Sequence, residues 1–300
     1  MSVIDELGSA VAAVAATTGS SVVGIGRDGR GAGVVIADGQ VLTNAHNLRG
    51  SEVTVRFGDG RSTTGTVAGV DGDGDLAVVT VDTAGATPVT WGDGAALGIG
   101  SAVFGVAATV GGAPRVTVGL VSAVARAFRG PGGRRISGSV EHTAPLAPGS
   151  SGGALVDGAG ALVGINTNRI GEGFYLAIPA DDELRSRITA LGRGESPSVV
   201  RLGVAIAPSH VARRLRRSVG LPDRGGVLVR GVEDGSLADA AGIEAGDLIV
   251  SAAGCDISDA DDLFDALASA SQPFEVGIVR GAEERSVSVG SAAGRTPGDA

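Results

Sequence analysis

Three hundred residues, 43% hydrophobic and 19% charged, describe a globular chain longer than one ordinary domain. A net charge of −9, with both the first 198 residues and the remainder net acidic, leaves no electrostatic footprint for nucleic acid. The single cysteine, Cys255, rules out an intrachain disulfide and a cysteine-based metal site, and three histidines leave little room for zinc. No apolar run approaches the ~20 residues that span a bilayer. The 52 glycines and 11 prolines stay below the roughly 25–30% that marks low complexity, and they point to short strands joined by tight turns. All basic residues are arginine, which reads as coding bias. The chain opens Met1-Ser2-Val3-Ile4-Asp5-Glu6 without a basic n-region, so the sequence as written is expected in the cytoplasm. A preceding targeting segment would make it extracytoplasmic.

In chain order, residues 5–17 are alanine-rich and suit a helix. From Ser21 the texture becomes short β-type runs between Asp-Gly and Gly-rich turns: 22–25, 33–36, 40–43, 52–57, 64–70 and 76–81. A further set follows at 102–106, 115–121, 137–141, 154–156, 162–166 and 173–178. Asp38-Gly39 is a strong hairpin signal. A dozen strands without intervening long helices predict an all-β sandwich or a pair of barrels. Residues 181–191 read as a helix, acidic at its start with Arg185 and Arg187 later. Residues 192–199 are a linker by composition. A second unit over 200–290 mixes strands at 203–206, 226–229, 248–251, 274–279 and 286–289 with helices near 209–219 and 259–270. Residues 291–300 read as a frayed, disordered tail.

The stretch Pro148-Gly149-Ser150-Ser151-Gly152-Gly153 lets backbone N–H groups converge beside a serine hydroxyl, the chemistry of an oxyanion hole next to a nucleophile. Such a cluster is also found in plain turns, so a base and an orienting acid must be found elsewhere. His46 sits in Thr43-Asn44-Ala45-His46-Asn47, just past a strand, and Asp75 in Gly74-Asp75-Leu76-Ala77-Val78, just before one. Neutral imidazole can take a serine proton near pH 7, and a buried carboxylate fixes its tautomer. The chain order His, Asp, Ser is that of the chymotrypsin class. The same serine fits G-x-S-x-G, but a strand–turn–strand follows it where an α/β-hydrolase elbow needs a helix.

These residues carry a resemblance. The first unit, 1–191, resembles a chymotrypsin-fold serine protease of the HtrA/Deg family, and the second resembles that family's PDZ domain. Thr43 to His46, Asp75 to Val78 and Gly149 to Gly153 match the catalytic segments. Gly164-Ile165-Asn166-Thr167 and Ala177-Ile178-Pro179 match the segments that follow the nucleophile. Ala241-Gly242-Ile243, Gly246-Asp247-Leu248-Ile249 and Gly254 are PDZ-type landmarks. The resemblance implies an all-β double barrel of chymotrypsin/trypsin type followed by a small α+β PDZ domain. It also implies an ATP-independent serine endopeptidase acting on unfolded polypeptides in protein quality control. Its catalytic residues are then His46, Asp75 and Ser151, with the oxyanion hole at Gly149, Ser150 and Ser151. Arg126, near Gly119-Leu120-Val121-Ser122-Ala123, corresponds to a regulatory-loop arginine that senses the PDZ domain. Homo-oligomers, as trimers, are implied as well, although the N-terminal aromatics of family trimers are absent. Family members carry Asn and Pro where Ser150 and Ala154 stand, and Thr-Asp-Ala where this chain has His142-Thr143-Ala144.

Pro145 and Leu146, six and five residues before the nucleophile, are expected to line the base of the S1 pocket. Neither is acidic, so the pocket should favour a small or medium aliphatic residue over Lys or Arg. Leu202, Gly203 and Val204 resemble a carboxylate-binding loop for C-terminal peptides. Leu263 and Leu267, four apart on a helix, either wall the peptide groove or are core residues. No metal or other cofactor is expected. Asp71, Asp73, Asp75 and Asp82 mimic a calcium loop, but Leu76 takes its obligatory glycine position. The Gly24 to Gly29 match to G-x-G-x-x-G is followed by a hairpin instead of a helix. Arg213, Arg214, Arg216 and Arg217 read as a solvated helix face, the alternative being docking to the first unit or to an acidic partner. The rival functional reading is a non-catalytic, protease-like scaffold or chaperone acting through the PDZ unit.

Overall fold

Strands that are apolar on both faces need two layers to bury them, and the first unit supplies both. The computed structural model describes residues 2–27, 29–130, 135–197, 200–207, 209–218, 220 and 224–290. The chain divides into two units, Met1–Pro197 and Ser198–Ala300. In the first, β1 (Val22–Ile25), β2 (Gly31–Ala37), β3 (Gln40–Thr43), β4 (Glu52–Arg56), β5 (Ser62–Asp71) and β6 (Leu76–Thr80) close an antiparallel barrel ordered β1-β2-β3-β6-β5-β4. The second barrel uses β7 (Ala102–Ala108), β8 (Pro114–Arg129), β9 (Arg135–His142), β10 (Ala154–Val156), β11 (Leu162–Ile170) and β12 (Phe174–Pro179). Its order, β7-β8-β9-β12-β11-β10, is the same pattern over again.

Alternation along each strand explains the continuous apolar runs. Val23, Ile25, Val35, Val41, Val55 and Val79 form a cluster drawn from the first barrel alone, its interior. Val103, Val121, Val140, Leu155 and Val163 do the same for the second. The intervening residues, including Val34, Leu42, Leu76 and Val78 on one side and Phe104, Val106, Ala154 and Ile165 on the other, merge into one seam between the barrels. The helix α1 (Val3–Thr18), started by a Ser2–Asp5 capping box, adds Val14 to that seam. The helix α2 (Asp182–Gly192), capped by Asp181, adds Leu184, Ile188 and Leu191.

One element differs from the sequence expectation in a way that matters. β8 does not stop at Val121 but runs on to Arg129, pairing with β9 through several register shifts, with Ala125 at φ +53°. In segment 122–129 alanine takes every second position and the alternate ones mix Val124, Arg126 and Phe128, so no polar–apolar alternation marks a strand there, and it is the pairing with β9 that makes it one.

In the second unit, β13 (Val204–Ala207), β14 (Val227–Val232), β15 (Leu248–Ala252), β16 (Cys255–Asp256), β17 (Phe274–Arg280) and β18 (Glu283–Val289) form an antiparallel sheet. The order is β13-β14-β15-β17-β18, with β16 paired to β15. Helices α3 (Ser209–Ser218), α4 (Leu237–Ala240) and α5 (Ala260–Ser269) accompany it. The expected tail at 291–300 lies outside the described residues.

The second unit is pinned by one ion pair. Asp247, 1% exposed at the start of β15, takes two bonds of 2.8 Å from the Arg280 guanidinium at the end of β17. The same guanidinium reaches Glu244 and the Gly242 carbonyl. Burial opposes the charge of Asp247, but Arg280 and the Glu244 backbone N–H outweigh it and hold its pKa below the ordinary carboxylate value. Replacing Arg280 with Met would strand a buried carboxylate. Arg280→Met should lower the melting midpoint of the second unit by at least roughly 10 °C. Circular dichroism reads that transition, while the fluorescence of Trp91, the sole tryptophan and part of the first unit, should not shift.

Candidate active site

Asp75 sits at the β5–β6 turn with φ +54° and is 1% exposed, so its carboxylate must find donors inside the protein. His46 supplies two. Its ring Nδ1 lies 2.9 and 2.8 Å from the two carboxylate oxygens, and its backbone N–H donates to Oδ1 at 3.1 Å. The Thr167 hydroxyl on β11 adds a third at 2.9 Å. Asn44 donates to the Asp75 carbonyl at 2.9 Å, tying the segment before His46 to the same residue. With Nδ1–H given to the carboxylate, Nε2 is left with its lone pair, ready to accept a proton.

The turn that presents Asp75 is braced from α2. Asp71 accepts the Gly74 N–H at 2.8 Å and pairs with the Arg187 guanidinium. These carboxylates, which mimic calcium-loop positions in sequence, are thus committed to a guanidinium and an imidazole.

Ser151 follows a tight turn. Ser150 N–H bonds to the Ala147 carbonyl at 3.1 Å, and Gly149 has φ +85°, which with Pro148 before it makes a type II turn. The Ser150 amide, grouped with the oxyanion hole in the sequence reading, is therefore spent inside the turn. Among the described residues the Gly149 and Ser151 amides have no acceptor, and they are the two donors left for an oxyanion. The Ser151 hydroxyl donates to the Thr167 carbonyl at 2.7 Å. Among the described residues it makes no hydrogen bond to His46, whose ring partner is Asp75.

Leu146 is half-buried and lies over the backbone of Gly105 on β7, whereas Pro145 is exposed. Arg126 is half-exposed and pairs across β8–β9 with Glu141 at 3.3 Å. In the second unit Leu202 is buried, Gly203 has φ +78°, and Val204 is half-buried at the start of β13. Leu263 and Leu267 are 2% and 5% exposed and belong to the core cluster with Ile249 and Val276, so they offer a ligand almost no surface.

Sequence alone assigns Thr167 and Arg187 no role at the site, and reads His142 as a surface or satisfied core residue. His142 is fully buried; its Nε2 is 3.0 Å from Asn166 Oδ1, and its ring stacks on Tyr175. Asn166 in turn bonds both ends of the Gly152–Gly153 segment, accepting from Gly152 at 2.7 Å and donating to Gly153 at 2.9 Å. Among the described residues His142 Nδ1 has no partner, so a second ring proton would go unmatched in the core.

A trypsin-like peptidase domain model matches residues 31–165, and a PDZ domain model matches residues 228–280. The chain is 32% identical over 284 residues to the putative serine protease HhoA of Synechocystis sp., covering 90% of this chain and 72% of that protein. The chain belongs to the HtrA family of serine proteases. It is also 30% identical over 277 residues to the mitochondrial serine protease HTRA2 of Drosophila pseudoobscura pseudoobscura, spanning 86% of this chain and 65% of that relative. The chain thus spans about two thirds of the length of these curated HtrA relatives. Among solved structures, the HtrA-type protease AlgW with tripeptide is 26% identical with a TM-score of 0.61, covering 93% of this chain and 95% of that one. AlgW with decapeptide, at 24% identity and a TM-score of 0.69, supports the fold. No helix among the described residues is long and apolar enough to cross a membrane.

Burial lowers the His142 pKa from 6.5 to about 4, against the opposing hydrogen bond to Asn166 Oδ1. Between those values the unfolded chain holds a proton that the folded chain lacks, so stability falls as pH drops from about 6.5 to about 4. The loss attributable to His142 is about 3 kcal/mol. Urea unfolding followed by Trp91 fluorescence between pH 4 and 7 should show that slope in the parent protein and a flatter one in His142→Phe. Equal slopes would remove His142 as the cause.

Proposed function

We propose that the chain is an ATP-independent serine endopeptidase in which Ser151 attacks, His46 carries the proton and Asp75 orients His46. One observation supports this most directly: His46 Nδ1 is clasped by both oxygens of a buried Asp75, which fixes the tautomer a general base requires. In the reaction the Ser151 hydroxyl leaves Thr167 and gives its proton to His46 Nε2 as Oγ adds to the scissile carbonyl. The Gly149 and Ser151 amides receive the oxyanion. His46 then returns the proton to the leaving amine, and water hydrolyses the acyl-enzyme by the same route in reverse.

Substrates are proposed to be unfolded polypeptides, cut after small or medium aliphatic residues, since neither Pro145 nor Leu146 brings a negative charge to the S1 base. C-terminal peptides would be held by the Leu202–Val204 backbone amides while adding a strand to β13. That strand lies at the sheet edge and pairs only with β14 among the described residues. A homotrimer is proposed from the family; the exposed Val3 and Ile4 in the first turn of α1 are apolar surface that assembly would cover.

Ser151→Ala should cut hydrolysis of unfolded casein by roughly 10⁴–10⁶-fold and abolish fluorophosphonate labelling. Turnover that survives the substitution would sink the mechanism. Separately, amidating the C-terminus of a bound peptide should weaken its affinity by roughly tenfold or more, read by fluorescence anisotropy. Unchanged affinity would reject carboxylate capture at 202–204.

A further inference from the structure

Asn47 follows His46 in the 3₁₀ turn Ala45–Asn47, and its side chain points away from solvent, 2% exposed. Its amide nitrogen makes two bonds. One goes to the carbonyl oxygen of Ser151 at 2.9 Å, the other to the Thr43 hydroxyl oxygen at 3.0 Å. Thr43 has its own proton committed to the Ala32 carbonyl at 2.7 Å, so it can only accept from Asn47. The Ala32 N–H completes the set by donating to the same Ser151 carbonyl at 2.8 Å. Strands β2 and β3 of the first barrel and the nucleophile's backbone are thus closed into one ring through a single side chain.

Two further features set Asn47 apart from an ordinary core residue. Its neighbour is Gly31, where a Cβ would stand 2.2 Å from the Asn47 amide carbon, so the site exists only because position 31 has no side chain. The Asn47 Oδ1 is buried with no donor among the described residues. An apolar residue of the same shape would leave no such orphan, so folding stability alone does not favour asparagine here.

We infer that Asn47 is a positioning residue that fixes the backbone of Ser151 relative to the turn carrying His46. The inference rests on the triad proposed above and adds to it the link that joins base to nucleophile. His46 is held by Asp75, and Ser151 lies on a loop of the other barrel. Asn47, adjacent to His46 in sequence and bonded to Ser151 in space, sets the separation of the two. It also sets the orientation of the Ser151 N–H that would face the oxyanion. It does not reach the substrate, so it acts on the chemical step and not on binding.

The test compares the parent protein with Asn47→Leu, which keeps the branched shape and removes both donors. The expected result on a chromogenic peptide is a kcat lowered by roughly 10–100-fold with KM within about twofold. The second-order rate of fluorophosphonate labelling should fall by the same factor. The pH midpoint of the activity profile should stay put, because the imidazole–carboxylate pair is untouched. Activity and labelling equal to the parent, with an unchanged or raised melting temperature, would overturn the inference and assign Asn47 to packing alone. If the leucine variant does not fold, Asn47→Ala, which removes the donors without adding bulk, gives the same split on its labelled fraction, and an unaltered kcat there is equally fatal. A parent protein that neither labels nor hydrolyses would instead refute the triad, so the two failures are told apart.

Discussion

The arrangement of the first unit follows from the burial of one carboxylate. Asp75 is almost wholly removed from water and sits in a left-handed backbone conformation that a non-glycine residue adopts only under constraint. A charge in that position is tolerable only if donors surround it, and no single barrel supplies them all. His46 comes from the first barrel and Thr167 from the second. The barrels must therefore close on each other for the carboxylate to be satisfied, and the apolar seam of Leu42, Leu76, Phe104 and Ile165 drives that closure. Hydrophobic burial brings the halves together, and the carboxylate makes their register specific.

Much of this was readable from residue order. The strand runs were most legible where both faces are buried, and β1, β3 and β10 have the bounds their apolar runs suggest. His46, Asp75 and Ser151 stood out because each has a distinctive neighbourhood at a strand end. The duplicated barrel topology was not legible, since the strand order depends on which edges pair and the two sets of strands share no pattern beyond alternation. Thr167 showed only as part of a matching segment, because threonine is an ordinary strand residue; its role comes from a partner 92 positions away. Asn47 and Arg187 are of the same kind. The extension of β8 beyond Val121 was hidden by alanines that favour no strand by themselves.

The second unit is stabilised by a different logic. Its sheet presents β13 as an edge, and its helix α5 turns Leu263 and Leu267 into the core. The pairing of Leu at i and i+4 was equally compatible with a ligand wall and with a core, and sequence spacing could not choose between them. The Arg280–Asp247 bond then fastens the far end of the sheet to the turn after α4, leaving the β13 edge as the open margin.

The turn from Ala147 to Ser150 has a wider consequence. Its ends are fixed, one by the hydrogen bond that closes it and the other by the Ser151 carbonyl held from two sides. Between them, the Pro148–Gly149 peptide plane is the element that distinguishes a type II from a type I turn. Rotating that plane like a crankshaft would carry the Gly149 N–H to the opposite face while every Cα stayed in place. Under the proposed mechanism, the orientation of one amide dipole decides whether the Gly149 donor faces the oxyanion, and a half-turn of a single peptide would withdraw it without unfolding or domain movement.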